Sequence, residues 1–550
     1  FLGPTSSWSF CRRVLSLIAA RLPEPIAPPD PWTLDHFDFR WSPLGTEEQP
    51  AVHDLPAQDY AVLLAHSVKY HLGPLSPIIE DDVFFRRLGE LYQSPAAQAK
   101  QSRIWYAQFL LVLALGEAIV NKECLTPVPG TQYAARAMSL IPNFFRVNEE
   151  SMLVVETLCL AGLYLQSLDL RLEAFQTPSV YVMLTLRQIG QALRICTLEG
   201  FHRYASKDEV GEHSSRRYAI VFWATYILDR HFSVLVGAPS SIRDEDITVK
   251  LPSETVDSSW ATALTLNVKL SRVIADILSD VYEVGSHKNA TLLKNTQSTL
   301  HNIAKLSREL NQFLQADTHG TTTTPSRVAT RLVLSYQHCI VLATRPLVMC
   351  VLQKALDHSC TAKSISQWHI GSLLQTCVDA TSSILATLKG LSDHDQLDCF
   401  IPFHLEELFS SAFLLHVISA AIPTFVPDRS YLPVAHMIFD KMIAKGSHGA
   451  RIRKMELQRL DTILLSYSQV TTRGLSSSIQ LEAVPLSDDT PRVIVQGTDH
   501  DSPGIFKENE PIYDMTEWNL FDMSLHEPIT LSPTGLLNLA EELNLQTFLD

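Results

Sequence analysis

Arg187–Arg203 reads RQIGQALRICTLEGFHR, and Ser214–Pro252 reads SSRRYAIVFWATYILDRHFSVLVGAPSSIRDEDITVKLP. Val182, Leu186, Ile189, Leu193 and Cys196 recur at alternating steps of four and three, which draws one apolar stripe along a helix. Arg187, Gln191 and Arg194 fall off that stripe, and Glu199-Gly200 suits a helix end. The second stretch gives a long apolar helix closed by Gly237-Ala238-Pro239. Asp244 to Asp246 and Leu251-Pro252 then read as an extended loop with an apolar anchor. Arg216-Arg217 stand near the helix start, where cations oppose the dipole. A buried ionic partner would resolve this, and Asp229, Asp244 and Asp246 are the candidates.

The same periodicity spreads outward. It predicts helices over 58–71, 101–121, 131–140, 151–169, 260–284, 288–315, 326–356, 366–389, 404–421, 433–445 and 448–470. Glu80-Asp81-Asp82 reads as a solvated helix start, the end where carboxylates suit the dipole. Alternating strand patterns are scarce and no Asn-Gly or Asp-Gly turn occurs. The expected fold is all-α, a large multi-helix domain over 57–470. It is flanked by a Pro-rich connector over 1–56 and a mostly disordered acidic tail over 471–550. Leu408 to Val426 lacks Asp, Glu, Lys and Arg, but its serines, His416 and Pro423 favour a buried helix over a membrane span.

Composition narrows the function. The 550 residues are 46% hydrophobic with a mean hydropathy of +0.06, so wholesale disorder is excluded. The formal charge is −15, of which residues 493–550 carry −10, so a uniformly basic nucleic-acid binder is excluded. Nine cysteines without a C-x-x-C pair read as free, buried thiols. No phosphate-loop, dinucleotide, zinc-protease or nucleophile-elbow motif occurs, so no catalytic, cofactor-binding or metal residue is assigned. His338-Cys339 are neighbours on a helix and point apart, which suits a core cysteine beside a boundary histidine. Lys441, Lys445, Arg451, Arg453, Lys454 and Arg459 read as a solvated helix face, with a nuclear import signal as the other reading.

The central run resembles the fungal-specific transcription factor domain, the middle regulatory region of the binuclear zinc-cluster activators. Ala192, His202-Arg203, Arg216, Arg217, Trp223, Asp229, Arg230, Ser233, Gly237, Pro239, Ile242, Asp244, Asp246, Ile247, Leu251 and Pro252 carry the resemblance. Leu55-Pro56 to Pro77-Ile78, Leu334-Ser335-Tyr336 with Arg345-Pro346, and Ala444 to Leu460 fit further segments in order. Gly3 to Phe10 resembles a segment such proteins carry between their DNA-binding end and this domain. Phe222-Trp223 replaces a Trp pair, Gly237-Ala238-Pro239 replaces Gly-Arg-Pro, and Glu199 is an extra residue before Gly200.

The resemblance implies regulation of RNA polymerase II transcription in a nucleus. Zinc and DNA contact would belong to an N-terminal cluster absent from this chain, expected upstream because the chain starts at Phe1. A homodimer is open, and no membrane partner is expected. In the tail, acids interleave with Trp518, Leu520, Phe521, Met523 and Leu525 within 517–525, and a second patch covers 532–550. That composition suits an activation motif that gives coactivators an apolar face. Docking of the tail on its own core is the competing reading. A helical interaction scaffold without DNA binding, or a helical enzyme, also stays open.

Overall fold

The computed structural model describes residues 5–22, 39, 41–45, 48–121, 129–141, 150–168, 180–204, 211–282, 289–318, 326–357 and 369–481. The helices are α1 (Ser7–Ala19), α2 (Gln58–Leu72), α3 (Asp81–Gln93), α4 (Pro95–Gln101), α5 (Arg103–Val120), α6 (Thr131–Leu140), α7 (Ser151–Ser167) and α8 (Val180–Leu198). They continue with α9 (Glu212–Val236), α10 (Pro252–Thr255), α11 (Ser259–Asp276), α12 (Asn289–Thr318), α13 (Arg327–Leu356), α14 (His369–Asp393), α15 (Phe403–Ala421), α16 (Tyr431–Ala444) and α17 (His448–Leu481). Among the described residues there is no strand, and the fold is all-α.

Two apolar cores organise these helices. The first gathers α2 to α9 around α5, whose Leu110, Leu111, Leu113 and Ala114 are all fully buried and point to every side. The second gathers α11 to α17 around α15, also buried on all faces. Helices apolar all round must be central, because no face is left for water. Between the cores lies α11, which turns Leu264 and Val268 to the first and Leu266, Leu270 and Val273 to the second. Among the described residues, three helices, α5, α9 and α13, are long and apolar enough to cross a membrane. In each, 72% or more of the apolar window is buried against other helices.

Residues 5–22 are not connector. Phe10, Cys11, Val14 and Ile18 recur at helical spacing and bury α1 in the second core, against α13, α15 and α17. The tail boundary also shifts, since α17 runs past 470 to Leu481. Inside α13, Pro346 lacks an amide hydrogen, which frees the carbonyl of Leu342. The buried Tyr282 hydroxyl donates to that carbonyl at 3.0 Å, so the break in the ladder is filled by a side chain.

Candidate functional site

Most residues of the quoted stretch converge on one buried clasp between α9 and the segment 237–252. Gly237 ends α9 at φ 71, a backbone only glycine adopts without strain, and the amide of Ala238 closes the turn onto Ser233 O at 2.9 Å. The chain thus folds back along α9. Arg230, 1% exposed, donates to Asp229 Oδ2 (2.9 Å), Asp244 Oδ1 (2.8 Å) and Ile242 O (2.6 Å). Asp229 in turn accepts from the Ser241 amide (3.2 Å) and hydroxyl (2.5 Å).

The Tyr226 hydroxyl donates to both Asp244 oxygens at 2.9 and 3.0 Å, and the Arg230 guanidinium lies 4.3 Å from the centre of its ring. Burial and the neighbouring Asp244 raise the Tyr226 phenol far above its ordinary value, despite Arg230. Arg272 from α11 adds a contact to Asp244 Oδ2 at 3.4 Å. Farther along, Trp223 Nε1 donates to Lys250 O at 2.9 Å, and His202 O accepts the amides of Thr248 and Val249. Leu251 stands just before α10, where its amide donates to Glu254 Oε2 at 2.9 Å, and Pro252 starts the helix, which anchors the far end of the loop.

Arg217 takes a different partner from the three expected. It donates to Glu156 Oε1 of α7 at 2.5 Å and to the carbonyls of Pro77 (3.0 Å) and Ile78 (2.8 Å). Asp229 and Asp244 are occupied by Arg230, and Asp246 is a surface residue paired with Arg243 at 3.2 Å. Arg216 stays at the surface, 4.0 Å from Glu212. Glu156 also accepts from Gln108 Nε2 at 2.9 Å. Burial raises its carboxyl, against the pull of Arg217 and Gln108.

The C-terminal basic cluster is not uniformly solvated. Arg453 is 1% exposed and contacts Glu456 Oε2 (3.0 Å) and Glu406 Oε2 (3.6 Å). Lys441 and Lys445 share Asp395, and Lys454 reaches Asp440. His338 is buried rather than at a boundary, and burial lowers it to about 4. Six of the seven described cysteines are buried, and burial raises the Cys159, Cys339 and Cys377 thiols to about 12. Among the described residues no three His, Cys, Asp or Glu side chains are placed to hold a metal. Trp518, Leu520, Phe521, Met523 and Leu525, with the patch over 532–550, lie outside the described residues.

The fold and clasp define a large all-helical domain in which Tyr226, Asp229, Arg230 and Asp244 hold the segment 237–252 against α9. Residues 68–315 match the fungal specific transcription factor domain, the family that the motif residues resemble. Two uncharacterized transcriptional regulatory proteins of Schizosaccharomyces pombe are each 21% identical to this chain. One aligns with 62% of this chain and 42% of its own, the other with 68% and 47%. The transcriptional activator protein acu-15 of Neurospora crassa is 22% identical over 56% of this chain and 33% of its own. The chain thus spans less than half the length of these relatives. No solved structure matches it.

Proposed function

We propose that this chain is the regulatory and activating portion of a fungal zinc-cluster transcription factor that works in the nucleus and has no catalytic role of its own. The family match over 68–315 carries the proposal. DNA contact comes from a binuclear zinc cluster outside these 550 residues, and zinc serves that cluster rather than this chain. The acidic tail, around Trp518 and Phe521, engages coactivators, and the helical body restrains or releases it. An effector that binds one state of the body better than the other shifts that balance by its difference in affinity. A homodimer would pair two such bodies; membranes play no part in this reading.

The test is to fuse the whole chain, and separately residues 493–550, to a neutral DNA-binding module upstream of a reporter. Activation by the tail, lost when Trp518 and Phe521 become alanine, is the expected result. Silence from both fusions would remove the activating role.

A further inference from the structure

A cavity of about 520 Å³ opens beside the buried Glu156–Arg217 pair, between the start of α3, α5, α7, the residues Glu199 and Phe201 that follow α8, and Tyr218 of α9. That volume suits a small organic ligand. Its apolar surface includes Phe84, Trp105, Phe201 and Tyr218. Phe201 and Tyr218 stack at 4.4 Å, and Phe84 and Trp105 stand 6.0 Å apart. Ring faces attract cations through their quadrupole.

The charges point the same way. Four carboxylates line the cavity, Glu80, Glu150, Glu156 and Glu199, against one cation, Arg87. Glu156 is committed to Arg217 and Gln108, so it forms the floor. The others keep capacity at the rim. Glu150 accepts from Ser102 Oγ at 3.0 Å and stands 3.6 Å from Arg87. Glu80 stands 3.8 Å from Arg217, and Glu199 is exposed at the end of α8. Separately, Trp105 is 2% exposed, and its buried Nε1–H finds no acceptor among the described residues. A buried donor left unmet is costly, so a ligand oxygen here would gain more than at an exposed site.

We propose that this cavity is a binding site for an amphipathic organic cation: an ammonium held by the rim carboxylates, with an aromatic body against the four rings and an oxygen that accepts from Trp105. Its use as an effector site rests on the regulatory role proposed above. The cavity is placed for it, because its floor pair continues into α9, the helix that carries the clasp.

Two probes of one shape and opposite charge test this on the whole chain by isothermal titration. Tyramine carries the ring, the oxygen and the ammonium; 3-(4-hydroxyphenyl)propionate replaces the ammonium with a carboxylate. Tyramine should bind with a Kd below about 1 mM. The acid should bind at least about tenfold more weakly. Glu80→Gln combined with Glu150→Gln should weaken tyramine about tenfold with an unchanged melting temperature. If that pair lowers the melting temperature, Tyr218→Leu keeps the wall apolar, removes the ring face and should still weaken tyramine severalfold. Equal binding of both probes, or none by tyramine up to 10-fold above that limit (about 10 mM), overturns the site. A reporter fusion that activates while tyramine fails to bind removes only the site. Tyramine binding by a chain silent in the reporter removes only the transcriptional role.

Discussion

Arg345 donates from Nη1 to the Thr5 carbonyl at 3.0 Å, which joins positions 340 residues apart. The guanidinium also reaches Ser7 Oγ (3.1 Å) and Ser410 Oγ (2.5 Å), while Ser7 donates to Glu406. A single buried cation therefore ties the N-terminal segment to α13 and α15. The segment that enters ahead of the helical body is part of its core.

Arg345→Ala should release α1 without unfolding the rest. Removing one member of a buried charged network costs roughly 3–5 kcal/mol, because its partners stay behind unpaired. Cys11 reports the release, since it is 1% exposed and burial holds its thiol well above the ordinary value. In the intact protein a disulfide reagent should leave Cys11 unlabelled; in the variant it should label it at native temperature, as read by peptide mass. Protection equal to that of the parent would show that apolar packing alone holds α1.

The clasp makes a graded prediction. Arg230→Met leaves Asp229 buried without its cation and should cost roughly 3–5 kcal/mol in urea unfolding. Asp246→Asn touches only the exposed pair with Arg243 and should stay within about 0.5 kcal/mol. Equal losses at the two sites would contradict the separation of buried clasp from surface.

Much of this was legible because helices write a period into the chain. The sequence boundaries 131–140 and 326–356 fall within one residue of α6 and α13. The partner of Arg217 was not legible. Glu156 sits 61 residues away inside the apolar run of α7, and only the packing of α7 against α9 brings the two together. Nearby acids drew the expectation instead. Arg453 was misplaced for a related reason: its basic neighbours suggest a wet face, while Glu406 and Glu456 bury it. The pattern for α1 was present in Phe10, Val14 and Ile18, but the prolines from Pro23 onward pulled it into the connector. The Ser and Thr residues after 470 are weak helix formers, and α17 continues through them.

Gly130 allows α5 and α6 to meet. At φ 79 it adopts a left-handed backbone, and a Cβ there would lie 2.4 Å from Ala114 O and 2.7 Å from Ala114 Cα. Neither atom can move aside without displacing the central helix of the first core. Gly130→Ala should therefore cost more than the roughly 1 kcal/mol of a strained turn alone, about 2–4 kcal/mol. Gly200→Ala supplies the control, because φ is 76 there but no atom lies within 4 Å of the added carbon. A melting-temperature loss confined to backbone strain, equal at both positions, would refute the contact.

Glu407 should tie stability to pH. It is 5% exposed and its Oε2 finds no hydrogen-bond partner among the described residues. Burial raises its carboxyl from 4.5 to about 8, against the pull of Arg331 and with help from Asp398 and Glu406. The folded state therefore holds a proton that the unfolded chain gives up near 4.5. Its contribution is complete below that value and erodes as pH rises through about 8. The buried histidines act in the opposite sense. Burial lowers His338 and His404 to about 4, so their contribution is present above their ordinary value of 6.5 and is lost as pH falls through about 4. Glu407→Gln removes the first titration and leaves the histidines in place. Relative to the variant, the parent should lose on the order of 2–4 kcal/mol between pH 5 and pH 8.5. Calorimetric melting temperatures across that range read the difference, and parallel profiles for the two proteins would show that Glu407 stays ionised in the folded state.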